Sequence, residues 1–176
     1  MTASVTDFIT NGIRNGGQRP NRYRIIFAFP SGVASGSVAN TASYLAKSAS
    51  IPGLTAGPAE TPYMGRTVKL AGDLTINDWS TTITIDSMEV YHAFNAWLNV
   101  GIGVTSNRGR VTPREYMADI TLHLLDRDDK VVSKMQLISC FVTAIGDVSL
   151  AYDANNTLME LPVTFAINDL KNESTR

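Results

Sequence analysis

Tyr63-Met64-Gly65-Arg66-Thr67-Val68-Lys69-Leu70-Ala71-Gly72-Asp73-Leu74-Thr75-Ile76-Asn77-Asp78-Trp79-Ser80-Thr81-Thr82-Ile83-Thr84-Ile85 reads as two β runs joined by a turn, with a helical pattern directly after it. In the first run Met64, Val68 and Leu70 fall on one face, and Tyr63, Thr67 and Lys69 on the other. Ala71-Gly72-Asp73 predicts the turn. In the second run Trp79, Thr81, Ile83 and Ile85 share one side, while Ser80, Thr82 and Thr84 put only hydroxyls on the other. Such alternation marks a strand with one buried face, and β-branched residues suit it.

Downstream, Val90, Tyr91, Phe94, Trp97 and Leu98 recur at helical spacing and predict a helix over Met88 to Asn99. Asp86 or Ser87 caps it, Glu89 stands in its first turn, and Gly101 and Gly103 stop it. A basic loop follows, from Thr105 to Arg114. The last third reads as a meander. Tyr116, Ala118, Ile120, Leu122 and Leu124 alternate with Asp119, Thr121 and His123; Asp126 to Lys130 is a charged turn; Met135 and Leu137 alternate with Lys134 and Gln136. In the final strand Met159, Leu161, Val163, Phe165 and Ile167 share a face. Pro162 lies inside it and cannot donate a ladder hydrogen bond, which predicts an edge strand or one that begins late.

Upstream, Tyr23, Ile25, Phe27 and Phe29 alternate as a first strand, residues 31–41 read as a loop, and Ser43 to Ile51 as a second strand. Ile51 to Pro62 carries three prolines and two glycines and reads as a long connection. Residues 1–21 form an N-terminal arm rich in Gly and Asn, either a docking arm carrying Phe8, Ile9 and Ile13 or a frayed terminus. About seven or eight strands and one helix predict a mainly β fold of two packed antiparallel sheets, a sandwich or half-barrel, with one flanking α-helix. A β domain over 22–170 then ends in a short tail, 171–176.

Composition bounds the partners. The chain has 176 residues, enough for one domain with a real core. Charged residues make up 18%, below the roughly 25% usual for soluble domains, which suits a surface hidden against copies of itself and equally an ordinary β domain. A net charge of −1 argues against a nucleic-acid reader, although a channel that DNA crosses without sticking needs just such weak binding. The single cysteine, Cys140, forms no internal disulfide, so no oxidising compartment is required; it reads as a small buried hydrophobe rather than a reactive thiol. No apolar run reaches the ~20 residues of a membrane span, and the N-terminus lacks the pattern of a signal peptide, so folding in a cytoplasm is expected.

Catalysis finds no support. His92 has Met88 and Ala96 at the helical i−4 and i+4 places, and His123 shares its strand face with Asp119 and Thr121 without ligand spacing. The Asp126–Asp129 run matches no calcium loop, and no Gly-x-Ser-x-Gly or phosphate loop occurs. No catalytic residue, cofactor site, metal site or small-molecule substrate is expected.

Taken in order, Arg19-Pro20-Asn21, Ser50-Ile51-Pro52-Gly53, Tyr63-Met64-Gly65-Arg66-Thr67-Val68-Lys69, Gly72-Asp73, Asp78-Trp79, Phe94, Trp97, Gly146-Asp147, Asp153, Asn155-Asn156 and Leu161-Pro162-Val163-Thr164-Phe165 span nearly the whole chain. Each motif is weak alone. Their order and spacing resemble the tail tube protein family of contractile-tailed bacteriophages. Val142 stands where that family usually has a proline, and Pro162 where it has a polar strand residue.

The resemblance implies a structural virion protein and a subunit of a hexameric β-barrel ring, with rings stacked into a conduit for DNA ejection. It implies assembly in the host cytoplasm with a tail sheath protein, a tape-measure protein, and baseplate and tail-terminator proteins, with DNA only in transit. It makes Phe8, Ile9, Ile51, Pro52, Gly53, Leu54, Pro58 and Pro62 candidates for contacts between rings. Ser80, Thr82, Thr84, Asp119, Thr121, His123, Lys134 and Gln136 become candidates for the channel wall, the alternative being a solvated outer face. Three rival readings remain at this stage: the inner tube of a bacterial contractile injection system, a baseplate-proximal tube initiator, and a carbohydrate-binding β-sandwich with Tyr23, Tyr44, Tyr63, Trp79 and Trp97 as a platform.

Overall fold

The computed structural model describes residues 4–13, 17–103 and 108–174. Parts of the expected arm (1–3 and 14–16), of the basic loop (104–107) and of the tail (175–176) lie outside the described residues. In chain order come α1 (Val5–Asp7) continued by a wider helical turn, Phe8–Gly12; β1 (Tyr23–Phe27); α2 (Gly36–Tyr44); β2 (Ala46–Ala49); β3 (Leu54–Tyr63); β4 (Arg66–Ile76); β5 (Trp79–Thr84); α3 (Met88–Gly101); a short turn, Pro113–Glu115; β6 (Ala118–Leu125); β7 (Val131–Ile145); β8 (Glu160–Ala166); and β9 (Asp169–Ser174).

The alternating strands build one antiparallel sheet in the order β1-β6-β7-β8-β5-β2, with β9 also paired to β7. It bends into two layers because β7 serves both. The first half of β7 pairs with β6 and β9, from Val131 to Cys140, and its second half pairs with β8, from Phe141 to Ile145. The bend sits at Ser139, whose φ is 54°. A non-glycine residue in that region costs about 1–2 kcal/mol and persists only where neighbours hold it. Here Asp119 accepts the Ser139 N–H at 2.9 Å, and the Asn168 amide donates to the Ser139 carbonyl at 2.9 Å.

The two layers face each other across the core. Phe27 of β1 meets Trp79 of β5 at 6.5 Å and Phe165 of β8 at 6.2 Å between ring centroids. The α3 stripe closes the end, with Val90, Phe94 and Trp97 buried, as its spacing predicts. Full burial of each large side chain contributes roughly 1.5–3 kcal/mol. The buried donors are matched: Trp79 Nε1 donates to Ser50 O and Trp97 Nε1 to Tyr116 O, both at 2.7 Å. Cys140 lies in this core, and burial pushes its thiol up to about 12.

Several local expectations change. The stretch read as a loop and a strand start is α2, where small residues replace an apolar stripe. Val38, Ala42 and Leu45 carry its packing side, and Ser43 Oγ accepts the Phe27 N–H at 3.0 Å. The Ser87 N-cap of α3 makes no side-chain cap bond. Pro162 is in an interior strand, between β7 and β5, not an edge. It fits because the β7 ladder ends one residue away, at Ile145↔Val163, so no donor is missed, and its carbonyl takes the Gly146 N–H at 2.8 Å. The described part of the expected tail, 171–174, lies within β9.

The largest change concerns residues 54–76. Ile51–Pro62 is not a connection over most of its length, because Leu54–Tyr63 is a ten-residue strand paired with β4 in a separate two-stranded ribbon. The turn is not at Ala71-Gly72-Asp73. It is at Met64-Gly65, whose φ values of 46° and 76° belong to a type I′ two-residue hairpin loop.

Candidate assembly surfaces

The ribbon is the first surface. No residue from Leu54 to Thr75 is buried. Leu54, Tyr63, Leu70 and Leu74 are each more than half exposed, and Met64 at the tip is 86% exposed. At about 3.3 Å per residue, β3 is roughly 33 Å long. A two-stranded hairpin is marginal in water, so a ribbon of this length that buries nothing in its own subunit needs an outside partner. Pro58 and Pro62 stand four residues apart and so in phase, which puts their missing N–H groups on the free edge of β3, away from the β4 ladder. That phasing lets two prolines sit in a strand and blocks the edge against further pairing.

The candidates for contacts between rings fall in three places. Pro58 and Pro62 are on the ribbon, with Leu54 at its root. Gly53 is tied to that root by the Asn77 N–H to Gly53 O bond at 3.0 Å. Ile51 is exposed beside it, but Pro52 is buried. Phe8 and Ile9 lie elsewhere, exposed on the helical turn of the arm. A cleft of about 300 Å³ opens next to the root, lined in part by Pro20, Tyr23, Ile51, Leu122 and Leu124.

The wall candidates separate onto two layers. Asp119, Thr121, His123, Lys134 and Gln136 share the outward face of the β1-β6-β7-β9 layer. Register places Arg24, His123, Lys134 and Glu173 in one row across it, and Ile26, Thr121, Gln136 and Lys171 in the next. Lys134 Nζ lies 3.7 Å from Glu173 Oε2. Partial burial, then Lys134 and Arg24, hold the His123 imidazole below its usual value. Asp119 also belongs to the Ser139 bend. Ser80, Thr82 and Thr84 face outward from the other layer, paired with Thr164, Pro162 and Glu160. Arg24, Ile26, Lys171 and Glu173 were missed as members of the first face. Alternation gives their phase, but only strand order shows which rows they join.

Open strand edges form the third surface. Among the described residues β1, β2 and β9 each pair on one side only. β1 and β2 approach without a ladder: the Tyr23 hydroxyl donates to the Ala46 and Lys47 carbonyls. Lys47 also pairs with Glu160.

The two histidines stand on separate elements. His92 is exposed on α3, and His123 lies on β6. Among the described residues no group of three or more His, Cys, Asp or Glu could hold a metal ion. Nor do the aromatics form a platform, since Trp79 and Trp97 are core residues while the exposed Tyr44 and Tyr63 sit on separate elements. Among the described residues no helix is long and apolar enough to cross a membrane.

Residues 18–171 match the family model described as phage tail tube protein. The chain is 30% identical over 154 residues to the tail tube protein of Serratia phage KSP90, covering 86% of this chain and 87% of that one. It is 23% identical over 165 residues to tail tube protein gp19 of Enterobacteria phage T4, covering 92% and 96%. In fold it is similar to a chain in the baseplate of the anti-feeding prophage, with a TM-score of 0.66 at 11% identity, covering 91% of this chain and 97% of that one.

Proposed function

The chain belongs to the phage tail tube protein family, and from that premise we propose that it is the repeating tube subunit of a contractile phage tail. Its copies join edge to edge into hexameric rings, and the rings stack into a conduit through which DNA leaves for the host. The observation that carries this reading is the ribbon: an apolar, two-stranded extension that no part of its own subunit covers. Phage proteins as the relatives in sequence favour a phage tail over an injection device.

The β1-β6-β7-β9 layer supplies the channel wall. Two open edges flank it, so copies can continue the sheet into a closed barrel and remove those edges. Its outward face mixes Arg24, Lys134 and Lys171 with Asp119, Asp169 and Glu173, which limits the phosphate affinity that would hold DNA in place. Ser80, Thr82 and Thr84 then lie away from the channel. The role is structural rather than catalytic. The 22–170 domain forms the ring, and the arm carrying Phe8 and Ile9 reaches a neighbour. The partners are the sheath outside, a tape-measure protein inside during assembly in the host cytoplasm, and the baseplate and terminator proteins at the two ends.

Electron microscopy of the purified chain tests this. Rings or tubes with a six-fold end view and a central hole are the expected result. A chain that stays monomeric at high concentration overturns it. A reconstruction with Thr121 and Gln136 outside the channel overturns the wall assignment alone.

A further inference from the structure

The outward face of the β1-β6-β7-β9 layer mixes charges of both signs, yet its rows are not alike. In the row of Arg24, His123, Lys134 and Glu173, the residue directly across from His123 is a cation on either side, Arg24 on β1 and Lys134 on β7. Side chains so placed have Cβ atoms about 4.5–5.5 Å apart, and like charges directly opposite destabilise a sheet. The imidazole feels both neighbours, since partial burial, then Lys134 and Arg24, lower its affinity for a proton.

The acids that could relieve this row stand off from it. Glu173 is two strands from His123, roughly 10 Å at the usual strand spacing, and it engages Lys134 at 3.7 Å. Asp119 lies four residues along the same strand, roughly 13 Å, and accepts the Ser139 N–H. Asp169 is farther still, opposite Ile138 on β9. These separations are at or beyond the roughly 10 Å over which exposed charges act in 0.1 M salt. The next row adds Thr121, Gln136 and a further cation, Lys171. Arg22, two residues before Arg24, is already paired with Asp129 at 2.8 Å. Among the described residues Arg24 has no ion pair. An anion lying across the row would supply the balance that the subunit itself does not.

We infer that Arg24, His123 and Lys134 form a phosphate-binding row, at which the channel wall touches the backbone of passing DNA. The inference rests on the tube reading and names the wall residues that DNA meets. Arg24 brings a fork of donors, Lys134 a point charge, and His123 an N–H donor that gains a full charge on protonation. The contact is weak at neutral pH, where His123 is uncharged and Lys134 is shared with Glu173. Passage needs that weakness, because every neutralised phosphate adds affinity. Protonation of His123 tightens the row. The ligand is a phosphodiester rather than a carboxylate because the load of such a channel carries one phosphate charge per about 1.7 Å of duplex axis.

The test uses the full chain before assembly, when this face is open. A short DNA duplex carrying a fluorophore is titrated with the chain at fixed low salt, at pH 7.5 and at pH 5.5, and binding is read by anisotropy. Wild type is expected to bind about threefold or more tighter at the lower pH. His123→Gln is expected to lose that gain and His92→Gln, on α3, to keep it. His123→Lys is expected to bind at pH 7.5 as wild type does at pH 5.5. Arg24→Gln and Lys134→Gln should each weaken binding at both pH values. NMR of the imidazole gives an independent reading: inorganic phosphate should raise the pH at which His123 titrates, relative to chloride at equal ionic strength. A gain that survives His123→Gln, or the same His123 titration in phosphate and in chloride, overturns the inference. So does an oligoglutamate peptide that competes with the duplex better than a DNA strand of equal charge, which assigns the row to an acidic protein. Every reading comes from the unassembled chain, so absent tubes sink the tube reading alone, and absent phosphate binding sinks this inference alone.

Discussion

The body and the ribbon are built from similar strand-forming residues and reach opposite ends of the burial scale. In the body, Trp79, Ile83, Ile120, Leu137, Leu161 and Phe165 are wholly buried, and among the described residues the buried side-chain donors have partners. In the ribbon, Leu54, Leu70 and Leu74 stand in solvent along strands that pair only with each other. One part of the chain finds its stability within the subunit, and under the proposed function the other finds it between subunits. A substitution should therefore move either melting or assembly, depending on which part it strikes.

The strongest blow to the body is Trp79→Ala. It removes a fully buried ring that contacts Phe27 and Phe165, and it leaves the Ser50 carbonyl without its donor. A loss of about 3–5 kcal/mol is expected in denaturant unfolding. A smaller loss would place the core elsewhere. Next comes the bend that joins the layers. Asp119→Ala deletes the acceptor for the Ser139 N–H and should cost about 0.5–1.5 kcal/mol, whereas Asp119→Asn keeps an acceptor oxygen and should cost less. Equal losses from both variants would mean that charge, not the hydrogen bond, holds the bend.

A weaker effect follows from His123. Its folded value lies below that of the unfolded chain, so the unfolded state binds the proton first. The stability it contributes is complete above the unfolded value near 6.5 and fades as pH falls from there through the folded value. His123→Gln should therefore show a smaller fall in melting temperature than wild type between pH 7.5 and pH 5.5. A parallel fall in both would assign the pH dependence to other groups. The smallest effect on stability should come from the largest deletion. Replacing Thr55–Thr75 with a short Gly-Ser turn between Leu54 and Ile76, which already face each other across the ladder, keeps the Ile76 packing and should change unfolding by less than about 0.5 kcal/mol and abolish tubes. A body that melts much earlier without the ribbon would erase the distinction between the two regions.

Much of the body was readable in advance because a buried face imposes alternation. Trp79 to Ile85, Ile120 to Leu124 and Leu161 to Ile167 each show it, and the stripe of α3 shows the helical counterpart. The family was readable from the order of short motifs along the chain. What escaped has physical reasons. α2 packs through Val38, Ala42 and Leu45 and offers too little apolar area to mark a face. β3 hid behind prolines that ordinarily end strands, and only their common phase on a free edge lets them stay. Gly72-Asp73 imitated a turn because the bulge that interrupts the β4 ladder there and a turn need the same residues. The wall candidates of each strand share one face, as alternation predicts, but phase does not reveal which layer a strand joins. Ser80 and Thr121 therefore read alike and ended on separate surfaces.

The passage of β7 through both layers has a mechanical meaning. Load placed on one layer reaches the other along peptide bonds rather than across side chains that can slide, so the pair resists shear as a single plate. A column stacked from such plates yields at its joints before its bricks, and thrust along its length is carried to the far end with little lost inside any one molecule.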